Sequence, residues 1–215
     1  MIHDEPSKLD DYLDLHSTDI PKYLIDLERE TGLKVIKPAM LSGRMQGRFL
    51  SFISKSLRPD RILEIGTFTG YSALCIAEGL NENGKLHSIE INDELQAFHE
   101  KYISNGKFSE KIEIHYGDAK ELLSSSFEKE YFDLIFIDAD KESYPKYLKL
   151  SETLLKSNGI LIADNVLWFH KVLDISIQDP ETNAVREFNE NLRNNPNFES
   201  LILPVRDGLT LARKK

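Results

Sequence analysis

The chain has 215 residues, 40% hydrophobic and 29% charged, with a formal net charge of -9. That length suits one domain with a sizeable core, and the acidic balance argues against a broad nucleic-acid-binding surface, which needs clustered Lys and Arg. No apolar run is long enough to span a membrane; Met1-Ile2-His3-Asp4-Glu5-Pro6 lacks the basic and apolar regions of a secretion signal, and the lone Cys75 cannot close an internal disulfide, so a reducing, cytoplasmic setting is expected.

In chain order, residues 7–57 are predicted to form two or three helices, within a helical extension (1–57) of a single domain (1–215). Asp19-Ile20-Pro21 is a helix start signal, and Met45, Phe49, Phe52, Ile53 and Leu57 form an apolar face that Pro59 terminates. From about residue 60, short β-rich runs follow at Arg61–Ile65, Lys85–Ile91, Lys111–Tyr116, Asp133–Asp138 and Gly159–Asp164. Between them lie helical stripes, one through Leu95, Phe98, Tyr102 and Ile103, another through Tyr144, Tyr147, Leu148, Leu154 and Leu155, with Ser143 as a cap and Pro145 in the first turn. Regular alternation implies an α/β fold with a parallel sheet covered on both faces. At the end, Phe198–Pro204 and Leu209–Arg213 flank Arg206-Asp207-Gly208, a hairpin signal that completes a seven-stranded mixed sheet.

Ligands of open α/β sheets bind beyond the carboxyl ends of the strands, so polar residues there matter most. Gly66 and Gly70 punctuate a strand-to-helix turn that runs from Glu64 to Ser72. Alone they would mark an ordinary tight turn, and the Gly-x-x-x-Gly spacing fits neither a dinucleotide fingerprint nor a P-loop. Glu90, 24 residues beyond Gly66, ends the second strand where a carboxylate can accept both ribose hydroxyls. Gly117-Asp118-Ala119 ends the third and could cover an adenine. Together these favour an adenosine-type ligand, and Glu64 beside the turn suits a cationic one: the ammonium and sulfonium of S-adenosylmethionine meet that demand.

Asp138-Ala139-Asp140-Lys141 closes the fourth strand and Asp164-Asn165 the fifth. A strand-end Asp is often only a helix cap. Two such segments on adjacent strands would bring Asp138, Asp164 and Asn165 together as a hard oxygen set for Mg²⁺, Mn²⁺ or Ca²⁺. Lys141 is then the candidate general base. Its ordinary pKa of about 10.4 must be lowered by burial or a cation before it can act. A phenol near 10 is roughly one part in a thousand ionised at neutral pH, a deficit of about 4 kcal/mol that metal ligation and a base would offset.

Ile62 through Leu74, Ile89-Glu90, Gly117-Asp118-Ala119, Phe136 through Lys141 with Tyr144, and Ala163 through Trp168 together resemble the cation-dependent O-methyltransferase family, which includes caffeoyl-CoA and catechol O-methyltransferases and bacterial relatives. The likeness runs from about residue 38 to the Leu203–Thr210 tail. It implies a Rossmann-like class I methyltransferase fold. It further implies that Met40, Ser42, Glu64, Gly66, Thr67 and Ser72 line the methionine part of the cofactor, Glu90 holds the ribose and Ala119 touches the adenine. Asp138, Asp164 and Asn165 would bind the metal, Asp138 would also lie near the cofactor's amino group, and Lys141 would be the base. The expected acceptor is a small vicinal-dihydroxy aromatic, and a homodimer is expected by analogy. Leu41–Arg48 is more basic than the plant pattern and Phe169–Glu181 is longer, so acceptor identity stays open. Transfer-RNA hydroxyuridine methylation is the second reading, with Arg44, Arg48, Lys171 and Arg206 as phosphate contacts. An NAD-dependent dehydrogenase is a third, but it has no use for Asp164-Asn165.

Overall fold

The computed structural model describes residues 8–215; the opening segment read above as no secretion signal lies outside them. Helices α1 (Lys8–Leu15), α2 (Lys22–Lys34) and α3 (Arg44–Leu57) precede strand β1 (Arg61–Ile65). There follow α4 (Tyr71–Ala77), β2 (Lys85–Glu90), α5 (Gln96–His99), β3 (Ile112–Tyr116), α6 (Ala119–Ser125), β4 (Phe132–Ile137), α7 (Tyr144–Leu154), β5 (Leu155–Asp164), α8 (Pro180–Asn194), β6 (Phe198–Leu203) and β7 (Leu209–Lys214). The seven strands form one sheet in the order β3-β2-β1-β4-β5-β7-β6; β3 to β5 are parallel, and β7 runs antiparallel between β5 and β6. The expected mixed sheet and Rossmann-like fold are present.

Strand alternation divides the core. Leu63, Ile65, Ile135, Ile137 and Leu161 point to the face covered by α6, α7 and α8, whereas Ile62, Leu134, Phe136 and Ile162 point to the face covered by α2, α3 and α4. The central strands are apolar on both sides because both faces are covered.

Four expectations need correction. The apolar stripe assigned to α3 faces the core only in part: Phe49 and Ile53 pack against it, whereas Met45, Phe52 and Leu57 are exposed. The buried side is Gln46, Gly47, Leu50, Ser51 and Ser54. Close packing selects that small-residue side, because a Cβ on Gly47 would stand 2.7 Å from Tyr71 on α4. The Leu95–Ile103 stripe is not one α-helix but a 3-10 turn, α5 and a π-turn at Glu100–Ser104. Strand β5 starts at Leu155, four residues early, since Phe132 of β4 already pairs with it there. Ser143 makes no side-chain cap to α7; Asp140 caps the preceding 3-10 turn, accepting from the Ser143 N–H at 3.2 Å. Pro145 does occupy the first turn of α7. No helix among the described residues is long and apolar enough to cross a membrane.

Candidate active site

The parallel pairing of β1 with β2 and β4 sets the turn after β1 between two strand ends. Gly66 adopts φ 99°, and a Cβ there would lie 2.0 Å from the Asp138 carbonyl oxygen, so only glycine permits this approach. The Asp138 N–H donates to the Ile65 carbonyl at 2.9 Å, which ties the carboxyl end of β4 to the turn after β1.

Glu64 is fully buried, and its Oε2 accepts a short hydrogen bond from the Ser88 hydroxyl, itself bonded to Thr67. Its Oε1 has no partner of bonding geometry among the described residues. Burial pushes the carboxyl up to about 8, although the Ser72 and Ser88 hydroxyls pull it down. A buried acceptor left open in this way fits a cationic ligand. Glu90 is organised differently: its Oε2 accepts from the Phe68 N–H at 2.6 Å and its Oε1 from the Asn92 N–H at 2.8 Å. Two backbone amides hold the carboxylate and leave lone pairs for a diol. Phe68 takes a left-handed φ of 49°, stabilised by Glu90 and by His99, whose Nε2 lies 2.6 Å from the Phe68 carbonyl. Neither Phe68 nor His99 was a candidate site residue from sequence: Phe68 lies within the Glu64–Ser72 turn without a role assigned to it, and His99 lies outside every motif. Ala119 is buried at the start of α6, where Asp118 caps the helix by accepting from the Lys120 N–H. Ser42 is buried, with its carbonyl held by Arg206, while Met40 is 57% exposed on a 3-10 turn at Pro38–Met40.

Ile137 and Ala163 are direct partners on β4 and β5, so Asp138 and Asp164 leave the sheet side by side. Lys141, 6% exposed, sits under them. Its Nζ donates to Asp138 Oδ1 at 3.5 Å, to the Asp164 carbonyl at 3.3 Å and, more closely, to the Tyr144 hydroxyl. Burial lowers the Lys141 pKa, opposed by Asp138 and Asp164. Burial pushes the Asp138 carboxyl up to about 6; Lys141 and Arg206 pull it down, and Asp164 pushes it further up. The cluster's negative charge is thus only partly compensated, and a hard cation fits that donor set. Asp164 Oδ2 accepts from Gln46 Nε2 at 2.7 Å and its Oδ1 from the Asn165 N–H at 2.7 Å. Asn165 is left-handed (φ 56°), and its side-chain amide has no hydrogen-bond partner among the described residues.

Sequence reasoning missed Gln46, which links α3 to Asp164, and named Arg206 as a phosphate contact only under the transfer-RNA reading. Arg206 instead bonds Ser42 and, at 3.3 Å, Gln46 Oε1. The other proposed phosphate contacts are also engaged internally: Arg44 with Glu28, Arg48 with Glu78 and Lys171 with Asp179. Trp168 is partly buried, with Lys141 Nζ 5.8 Å from its ring centroid.

The O-methyltransferase family profile matches residues 14–215. A catechol O-methyltransferase of Niastella koreensis is 33% identical over 182 residues, 81% of this chain and 82% of the relative. Caffeoyl-CoA O-methyltransferase 1 of Eucalyptus globulus is 33% identical over 188 residues, 81% of this chain and 75% of the relative. The crystal structure of an O-methyltransferase from Bacillus cereus in complex with SAH superposes with a TM-score of 0.90 at 27% identity, covering 98% of each chain. With carboxylates at the ends of β1, β2, β4 and β5 in the order the motifs required, the chain belongs to the S-adenosylmethionine-dependent O-methyltransferase family that the catechol and caffeoyl-CoA enzymes represent.

Proposed function

We propose that the chain methylates a hydroxyl of a small vicinal-dihydroxy aromatic acceptor, of catechol or caffeoyl type, with the help of a divalent cation, Mg²⁺ before Mn²⁺ or Ca²⁺. The observation that carries this reading is the buried Lys141 ammonium set between Asp138 and Asp164 at adjoining strand ends.

S-adenosylmethionine supplies an electrophilic methyl group on a sulfonium. Glu64 would accept from its ammonium, Glu90 would hold the ribose hydroxyls, and Ala119 would cover the adenine, with Met40, Ser42, Gly66, Thr67 and Ser72 around the methionine. Asp138, Asp164 and Asn165 would hold the dication, which supplies Lewis acidity that lowers the pKa of an acceptor hydroxyl. Gln46 keeps the Asp164 carboxylate oriented. Lys141, in its neutral form, takes the hydroxyl proton at Nζ; Tyr144 and the Asp164 carbonyl fix that nitrogen in place. Orientation of the acceptor oxygen toward the methyl carbon supplies much of the remaining acceleration.

Labelled S-adenosylmethionine with catechols, phenolic CoA thioesters and bulk tRNA tests this reading. Asp164→Ala, or chelation of the wild type, is expected to cost about 1,000-fold or more in turnover of a diol. Unchanged turnover in both would remove the metal from the mechanism. Labelling of tRNA alone, falling steeply between low and moderate salt, would transfer the substrate to RNA.

A homodimer accords with the exposed Met45 and Phe52 of α3, apolar side chains that a partner could cover. Phe52→Glu should convert a sedimenting dimer to monomer; a monomeric wild type would dispose of the idea. The buried, free Cys75 suits a reducing cytoplasm.

A further inference from the structure

A second group of metal-ligating side chains lies on the other half of the sheet. His87 is the register partner of Glu113 across β2 and β3, and His115 follows Glu113 by two residues, so all three project from one face. Their ligand atoms lie within 4.8 Å of one another. His87 Nδ1 is 3.0 Å from His115 Nε2 and 3.4 Å from Glu113 Oε2. A tetrahedral ion with bonds of about 2.0–2.1 Å holds its ligands about 3.3 Å apart, so both spacings are already edges of such a tetrahedron.

We infer that His87, Glu113 and His115 form a binding site for a zinc-type divalent transition metal, separate from the oxygen-rich set at the ends of β4 and β5.

The chemistry of the donors distinguishes the two sites. Two imidazoles and one carboxylate select borderline ions such as Zn²⁺, whereas Asp138, Asp164 and Asn165 offer only hard oxygens. His87 is buried against Phe127 and Phe132 and stays neutral because burial pushes its pKa down to about 4, which keeps its lone pair available. Burial opposes ionisation of Glu113, but the Lys85 ammonium beside it holds its carboxyl below the ordinary range. Lys85 Nζ takes the other oxygen, Oε1, at 3.1 Å and leaves Oε2 toward the histidines. His87 Nε2, the nitrogen that must carry the proton when Nδ1 ligates, is buried without a hydrogen-bond partner among the described residues.

The location suggests what such an ion would do. Strand β3 is an edge of the sheet, joined only to β2. An ion bridging His87 to Glu113 and His115 would staple that edge one to three register pairs short of Glu90–Tyr116, on the face opposite to the one from which Glu90 projects. The role is structural and does not depend on the methyl-transfer reading.

The test is competition for Zn²⁺ between tag-free protein and a chromophoric chelator, in saturating Mg²⁺ to fill hard sites. Wild type is expected to retain one zinc per chain. His115→Ala should weaken it about 100-fold or more, since even supporting residues of metal sites are worth about 10–100-fold, and Glu113→Gln should weaken it in the same direction. Asp138→Asn should leave it unchanged. Zinc should raise the thermal midpoint of wild type in a concentration-dependent way and not that of His115→Ala. If His115→Ala does not fold, the half-exposed Glu113→Gln carries the comparison. Affinity insensitive to both substitutions, zinc lost with Asp138→Asn instead, or no zinc retained by wild type would each overturn the assignment.

Discussion

The two halves of the sheet's carboxyl edge hold their acids by different means. At β1 and β2, Glu64 and Glu90 are held by hydroxyls and backbone amides, and no Lys or Arg among the described residues bonds either one. At β4 and β5, Asp138 and Asp164 meet a buried ammonium, a side-chain amide and the field of a nearby guanidinium. Dipoles can preorganise a carboxyl group without supplying a counter-charge, which on the proposed function leaves the first half receptive to a cation and a diol. A buried amine held by the Asp138 carboxylate and the Asp164 carbonyl, its pKa lowered by burial, can exchange a proton. On the proposed function, one half would bind and the other would react.

Substitutions can break this contrast, beginning with the largest expected effect. Lys141→Ala should lower kcat by about 100- to 10,000-fold while calorimetry finds S-adenosylmethionine affinity unchanged. Because the base must be neutral, wild-type turnover should fall as pH drops through the Lys141 pKa, which burial sets below that of an ordinary lysine. The variant should lack that limb; retention of it would assign the proton to another group.

Glu90→Gln should act on the binding half. Loss of a charged hydrogen-bond acceptor worth about 1.5–3 kcal/mol corresponds to roughly 10- to 150-fold weaker cofactor binding, with kcat at saturation little altered. A drop in kcat at full occupancy would mean that the two halves are not separable in this way.

A last effect concerns stability alone. Glu64 has a folded pKa of about 8 against an ordinary 4.5, so its raised value favours the fold below 4.5 and that contribution is lost as pH rises toward 8. Cofactor-free Glu64→Gln should therefore lose less stability than wild type between those limits, with its thermal midpoint higher relative to wild type at pH 8 than at pH 4.5. A parallel pH dependence in the two proteins would show that Glu64 ionises freely.

Much of this was legible in the residues. Glu64, Glu90, Asp138 and Asp164 all stand at strand ends, where the motifs put them, because strand periodicity is a local property and the parallel sheet aligns those ends. The α3 stripe was misread at Met45, Phe52 and Leu57, though not at Phe49 and Ile53, for an equally physical reason. Hydrophobic periodicity reports that one face must be covered, not by what, and in this chain the small side of the helix is the one that fits against Tyr71. The Leu95–Ile103 segment kept its apolar positions but not its regular turns, since spacing alone does not register a π-turn.

By itself the sequence determined the alternation of strands and helices, the mixed sheet and the acids at its edge, all of which follow from side-chain periods and turn chemistry within a few residues. Tertiary structure decided the rest. Gln46 reaches Asp164 across 118 positions, Arg206 turns inward to Ser42, and His87 meets Glu113 and His115 from a neighbouring strand. Contacts between distant segments depend on register, packing distance and crossing geometry, and none of those is encoded in the spacing of residues along one segment.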